Sequence, residues 1–161
     1  MSSFLISSLT LALLFAGSCS SLTTTNKVDP KAPWSLRLTT SGGFAGIGRG
    51  NFAVDNEGKF GCEAMDRQEV RKGATGTLPG TELQPLSEAV ARAKPDGWNK
   101  PGLNVAAPDA FGYKLELRTG ANDPKPFTVQ WYDNTGDQLP TDLKELSNTL
   151  LQTMERACKS R

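Results

Sequence analysis

Pro140-Thr141-Asp142-Leu143-Lys144-Glu145-Leu146-Ser147-Asn148-Thr149-Leu150-Leu151-Gln152-Thr153-Met154-Glu155-Arg156-Ala157-Cys158 carries the strongest periodicity in the chain. Leu143, Leu146, Leu150, Met154 and then Ala157 or Cys158 recur at intervals of three and four, which places them on one face of an α-helix. Pro140-Thr141-Asp142 ahead of them is a helix start signal. Such a helix has to bury its apolar stripe against another element, and the sequence upstream supplies strands.

Phe127, Val129 and Trp131 alternate with Thr128, Gln130 and Tyr132, and Tyr113, Leu115 and Leu117 alternate with Lys114, Glu116 and Arg118. This period of two marks half-buried strands. The same pattern opens the domain, where Trp34, Leu36 and Leu38 alternate with Ser35, Arg37 and Thr39. A second strand around Arg49 to Asp55 and a third around Lys59 to Glu63 are joined by the turn Asn56-Glu57-Gly58, with Phe60 and Cys62 on a core-facing side. Gly73 to Gly80 reads as a loop leading to Thr81-Glu82-Leu83-Gln84, a capping-box pattern for a short helix through Leu86, Ala89, Val90 and Ala93. Pro95 to Pro108 is broken by Gly97, Pro101, Gly102 and Pro108, and its Trp98 reads as an aromatic that caps the core. The expected fold is therefore α+β: an antiparallel sheet of about four to five strands, a short middle helix, and the C-terminal amphipathic helix packed on one face.

The N-terminus has a different character. Phe4 to Ala16 is an apolar run of about a dozen residues, too short to span a bilayer as a helix, and it reads as the hydrophobic part of a signal peptide covering residues 1–18. Leu14-Phe15-Ala16-Gly17-Ser18-Cys19 resembles a bacterial lipobox, which makes Cys19 the expected lipidation site. The departures are Ala16, at a position usually held by Leu, and the lack of Lys or Arg in Met1 to Thr10. The polar stretch to Pro33 completes a lipidated tether over residues 19–33, and residues 34–161 form one domain. The implied location is the cell envelope, with the chain anchored to the membrane through an N-terminal lipid; a soluble periplasmic or secreted form is the alternative. Export also bears on the other cysteines. With Cys19 assigned to a lipid, Cys62 and Cys158 are an even pair in an oxidising compartment, and a disulfide between them is expected; two unpaired buried thiols are the alternative.

The 161 residues contain 18 Lys and Arg against 17 Asp and Glu, so there is no basic field for a nucleic-acid backbone, and nucleic acid is not an expected partner. There is no histidine, which removes the histidine-dependent nucleophile arrangements and most zinc sites. Glu57, Glu63, Asp66 and Asp109 lie in turns or polar stretches and read as solvated charges, not as paired catalytic acids. Gly46-Ile47-Gly48-Arg49-Gly50-Asn51 departs from a dinucleotide fingerprint at its last position and leads into a strand. The reading is of a protein that is not an enzyme, with no cofactor, no metal and no small-molecule substrate.

One cluster invites a functional reading: Ser41-Gly42-Gly43-Phe44-Ala45-Gly46, between the first two strands. Its bland role is a tight connection; its functional role is to present Phe44 on a loop whose backbone can approach a partner. A strand ending in Ser41-Gly42-Gly43-Phe44-Ala45-Gly46-Ile47, a strand pair, a helix, a strand from Phe111-Gly112-Tyr113 and the ending Leu139-Pro140-Thr141-Asp142-Leu143-Lys144-Glu145-Leu146 together resemble the emfourin family, over about Trp34 to Gln152. That family consists of small protein inhibitors of thermolysin-like zinc metallopeptidases such as protealysin. The resemblance implies a metallopeptidase partner and steric occlusion of its cleft by Ser41, Gly42, Gly43, Phe44, Ala45 and Gly46. It also implies an apolar pocket for Phe44, with Asp55 or Glu57 reaching the zinc as another conceivable mode. The leader, the cysteine pair and the Pro/Gly-rich stretch from Gly73 to Pro108 depart from the family pattern. An envelope-binding or structural lipoprotein that inhibits nothing is the alternative.

Overall fold

The computed structural model describes residues 32–42, 50–66, 69–120 and 125–159. The expected leader, Cys19 and most of the expected tether lie outside them. Among the described residues six strands form one antiparallel sheet, β1 (Trp34–Gly42), β2 (Gly50–Asp55), β3 (Lys59–Asp66), β4 (Glu69–Thr77), β5 (Phe111–Thr119) and β6 (Phe127–Tyr132), in the order β4-β3-β2-β1-β5-β6. Two helices, α1 (Gly80–Arg92) and α2 (Thr141–Lys159), pack against each other. The α+β class is as the sequence predicts, with one strand more than the upper expectation.

Strand register explains why the alternation was so regular. Cys62, Phe52, Leu38, Leu115 and Val129 stand side by side across five strands, and Phe60, Val54, Leu36, Leu117 and Phe127 form the neighbouring row. Leu86, Ala89 and Val90 of α1 and Leu143, Leu146 and Leu150 of α2 join these residues in one buried cluster. Each of these larger aliphatic side chains contributes on the order of 1.5–3 kcal/mol by leaving water. The opposite face is polar, with Arg37 between Ala53 and Glu116 in register and Lys114 paired to Glu116 at 2.6 Å.

Two local expectations are corrected. Gly73 to Gly80 is not a loop throughout, because β4 runs to Thr77 through Gly73 and Gly76. The register with β3 shifts between Gly61 and Glu63, and at that irregularity a Cβ on Gly73 would lie 2.6 Å from the carbonyl oxygen of Cys62. Glycine is there for a close backbone approach at a bulge, not to break a strand. The capping box is also absent: α1 starts at Gly80 behind an extended Pro79, no side chain caps it, and Thr81 is already inside the first turn. Proline fixes the backbone before the helix and leaves the cap to main-chain bonds, the Glu82 and Leu83 N–H groups both donating to the Pro79 carbonyl.

Candidate functional site

β1 lies between β2 and β5, so its C-terminal end is held from both sides. The last β1–β2 pair is Thr40 with Gly50, and the Thr40 hydroxyl, buried with its side chain, donates to the Gly50 carbonyl at 3.1 Å. On the other side Ser41 pairs with Gly112 and Gly42 with Phe111. Gly42 has φ +86° and Gly50 φ +114°. Both ends of the connection thus use backbone angles that L side chains rarely adopt, in agreement with the glycine-rich sequence. Gly42 has a second constraint, since a Cβ there would meet the Ala110 carbonyl oxygen at 2.8 Å. Of the proposed contact residues, Ser41 and Gly42 are placed at this neck; Gly43, Phe44, Ala45 and Gly46 lie outside the described residues.

The cysteine pair is bonded. Cys62 of β3 and Cys158 in the last turn of α2 form a disulfide with Cα atoms 6.0 Å apart, across 96 residues of sequence. A cavity of about 590 Å³ opens beside it, lined by Cys62, Cys158, Leu151, Met154, Asn51 and Glu63 among others. The Asn51 amide donates to Glu63 at 2.9 Å, and its Oδ1 is buried with no hydrogen-bond partner.

The other candidate carboxylates are dispersed. Glu57 and Lys59 form an exposed ion pair at 2.5 Å. The hydrogen bond and charge of Lys59 hold the Glu57 carboxyl below its ordinary range, and Glu57 in turn raises Lys59. Asp55 is engaged in its own turn, accepting the N–H groups of Glu57 and Lys59 at 3.0 Å each. Asp109 is exposed with φ +64°, and the carboxylate of Asp66 lies outside the described side chains. Among the described residues no group of three or more His, Cys, Asp or Glu is arranged to hold a metal ion. Trp98 caps the core, as its sequence context predicts, and its indole N–H donates to Asp142 at 2.8 Å.

What sequence reading missed is the construction beside the neck. Asn134 and Thr135, in a 3₁₀ turn over Asp133–Gln138, hold the segment before β5 through their side chains. Their only sequence signal was polarity between a strand and a helix. No family model and no curated protein matches the chain.

Proposed function

We propose that this chain is an exported, lipid-anchored inhibitor of thermolysin-like zinc metallopeptidases that acts by blocking the cleft. The observation that carries this reading is the neck at Ser41 and Gly42. The stretch with the specific resemblance leaves the end of an interior strand whose last residues are clamped by Thr40, Gly50 and Ala110. A contact loop on a rigid base loses little freedom on binding, which favours affinity. The Cys62–Cys158 disulfide suits an oxidising compartment and agrees with export. In this reading Cys19 carries the lipid, Phe44 enters or borders the cleft, and the protein performs no chemistry of its own.

The test is a titration of a thermolysin-like peptidase with the domain starting at Ser20, following cleavage of a peptide substrate with and without Phe44→Ala. Stoichiometric inhibition weakened by the substitution supports class and site together. Absence of inhibition across several such peptidases rejects the reading and leaves an envelope-binding lipoprotein. Fatty-acid labelling that persists in a Cys19→Ala variant would reject the anchor separately.

A further inference from the structure

α2 is well buried along most of its length and poorly buried at its end. Leu143, Leu146, Ser147, Leu150 and Thr153 are each 3% exposed or less, whereas no side chain from Met154 to Cys158 is buried. Met154, Ala157 and Cys158 lie partly buried against the core cluster, and Glu155 and Arg156 are exposed. Arg156 reaches Glu82 of α1 at 3.7 Å, but its side chain is 54% exposed. A pair of that kind contributes under about 1 kcal/mol. Helix ends lack part of their main-chain bonding and open at little cost in free energy unless something else holds them.

The disulfide holds this end, and its two halves differ. Cys62 is 6% exposed, in a strand flanked by β2 and β4, at the register shift between Gly61 and Glu63. A Cβ on Gly73 would come within 3.0 Å of the Cys62 Cβ, so the β4 backbone packs directly against this residue. Cys158 is half-buried in the last turn of the helix. The sheet fixes Cys62; the bond to Cys62 fixes Cys158.

The bond can also be approached from outside. Both cysteines line the cavity of about 590 Å³, with Leu151 and Met154 on its helix side and Glu63 and Gly73 on its sheet side. A cavity of this size admits a small molecule. A thiol can therefore approach the disulfide while Leu146 and Leu150 stay packed in the core.

We propose that Cys62–Cys158 is a reducible latch on the end of α2, opened by a dithiol that enters this cavity. The thiolate of the dithiol attacks Sγ of Cys158, the less buried cysteine, forming a mixed disulfide as Cys62 leaves as a thiolate and takes up a proton. The second thiol of the reductant loses its proton and attacks its own partner sulfur in the mixed disulfide, and Cys158 leaves and is protonated in turn. The dithiol ends as a cyclic disulfide, and the protein has gained two electrons and two protons. Met154 to Lys159 is then untied, which uncovers Leu151 and Met154, while the helix from Leu143 to Leu150 stays packed. The latch is independent of what the domain binds. In an oxidising compartment it is closed.

The test uses the full chain in detergent, with dithiothreitol as the dithiol and no denaturant. Loss of the disulfide is followed by alkylation and mass spectrometry, and hydrogen exchange is compared before and after. Reduction should run within about a hundredfold of its rate in unfolding urea, because a bond reached only through global unfolding is slowed by the unfolding equilibrium, about a thousandfold or more. Amides of Met154 to Lys159 should then exchange roughly tenfold faster or more, with those of Leu143 to Leu150 unchanged. A double variant carrying Cys62→Ala and Cys158→Ala should show the exchange of the reduced parent without any reductant. Reduction about a thousandfold slower than in urea overturns the route through the cavity. Unchanged exchange after reduction overturns the latch, and so does faster exchange throughout α2, which would make the bond a global staple.

Discussion

The indole N–H of Trp98 donates to Oδ2 of Asp142 at 2.8 Å, and the same oxygen accepts the backbone N–H of Lys94 at 2.7 Å. One carboxylate in the first turn of α2 thus holds the second residue after α1 and the start of the long connection to β5. Trp98 is almost wholly buried, so its N–H has little access to water if the carboxylate is removed.

Asp142→Ala should therefore lower stability by about 2 kcal/mol, since a buried donor left unpaired loses its full solvation. Asp142→Asn keeps an acceptor oxygen and should cost about half as much. Urea unfolding of both variants measures this, and an alanine variant as stable as the parent would mean that water reaches the indole.

The disulfide closes a loop of 96 residues and ties the end of α2 to the irregular part of β3. Replacing both Cys62 and Cys158 by Ala should lower stability by about 2–4 kcal/mol in the chain-entropy picture. A reductant should lower the thermal midpoint of the parent and leave that of the double variant unmoved. A midpoint indifferent to reductant in both would show that the α2 packing alone holds this end.

Short distances between exposed charges should matter much less. Arg92 of α1 and Glu145 of α2 approach to 2.6 Å, yet both side chains are about half exposed. Arg92→Ala is expected to change stability by under about 1 kcal/mol. A larger loss in urea unfolding would mean that the pair fixes the angle between the helices.

The Glu57–Lys59 pair is read out by titration. Glu57 is held below its ordinary 4.5, so its contribution is present above that value and fades as pH falls through its lowered pKa. Lys59 is held above 10.5, so its contribution is present below 10.5 and fades as pH rises through its raised pKa. In Lys59→Gln the Glu57 midpoint, followed by NMR, should move back up towards 4.5. An unmoved midpoint would assign the lowering to the turn backbone.

These contrasts also show which parts of the molecule could be read from its sequence. β1, β5, β6 and α2 each bury one face, so burial imprints a period of two or of three to four on consecutive residues. Cys62 shares the core-facing side of β3 with Phe60 and Cys158 continues the apolar face of α2, and their pairing followed. β4 escaped because Gly73 is required by a neighbour, the Cys62 carbonyl, that no local pattern announces. The support of Val105 and Leu103 by Asn134 and Thr135 spans 29 and 32 residues and leaves no periodic trace. Sequence pointed to the glycine stretch as a candidate contact, and it did not reveal the pinned segment beside its neck.

Gly42 tests whether that neck is held by conformation alone or also by contact. Gly120 is the natural control: its φ of +96° resembles the +86° of Gly42, but a Cβ there meets nothing within 4 Å. Gly120→Ala should show only the cost of a left-handed backbone, about 1–2 kcal/mol. Gly42→Ala carries the same cost and must also displace the Ala110 carbonyl from 2.8 Å, adding about 1 kcal/mol or more. Urea unfolding of the two variants isolates the difference. If it is positive, the end of β1 and the segment before β5 are in close backbone contact at Gly42; equal losses would mean that the Ala110 carbonyl yields freely.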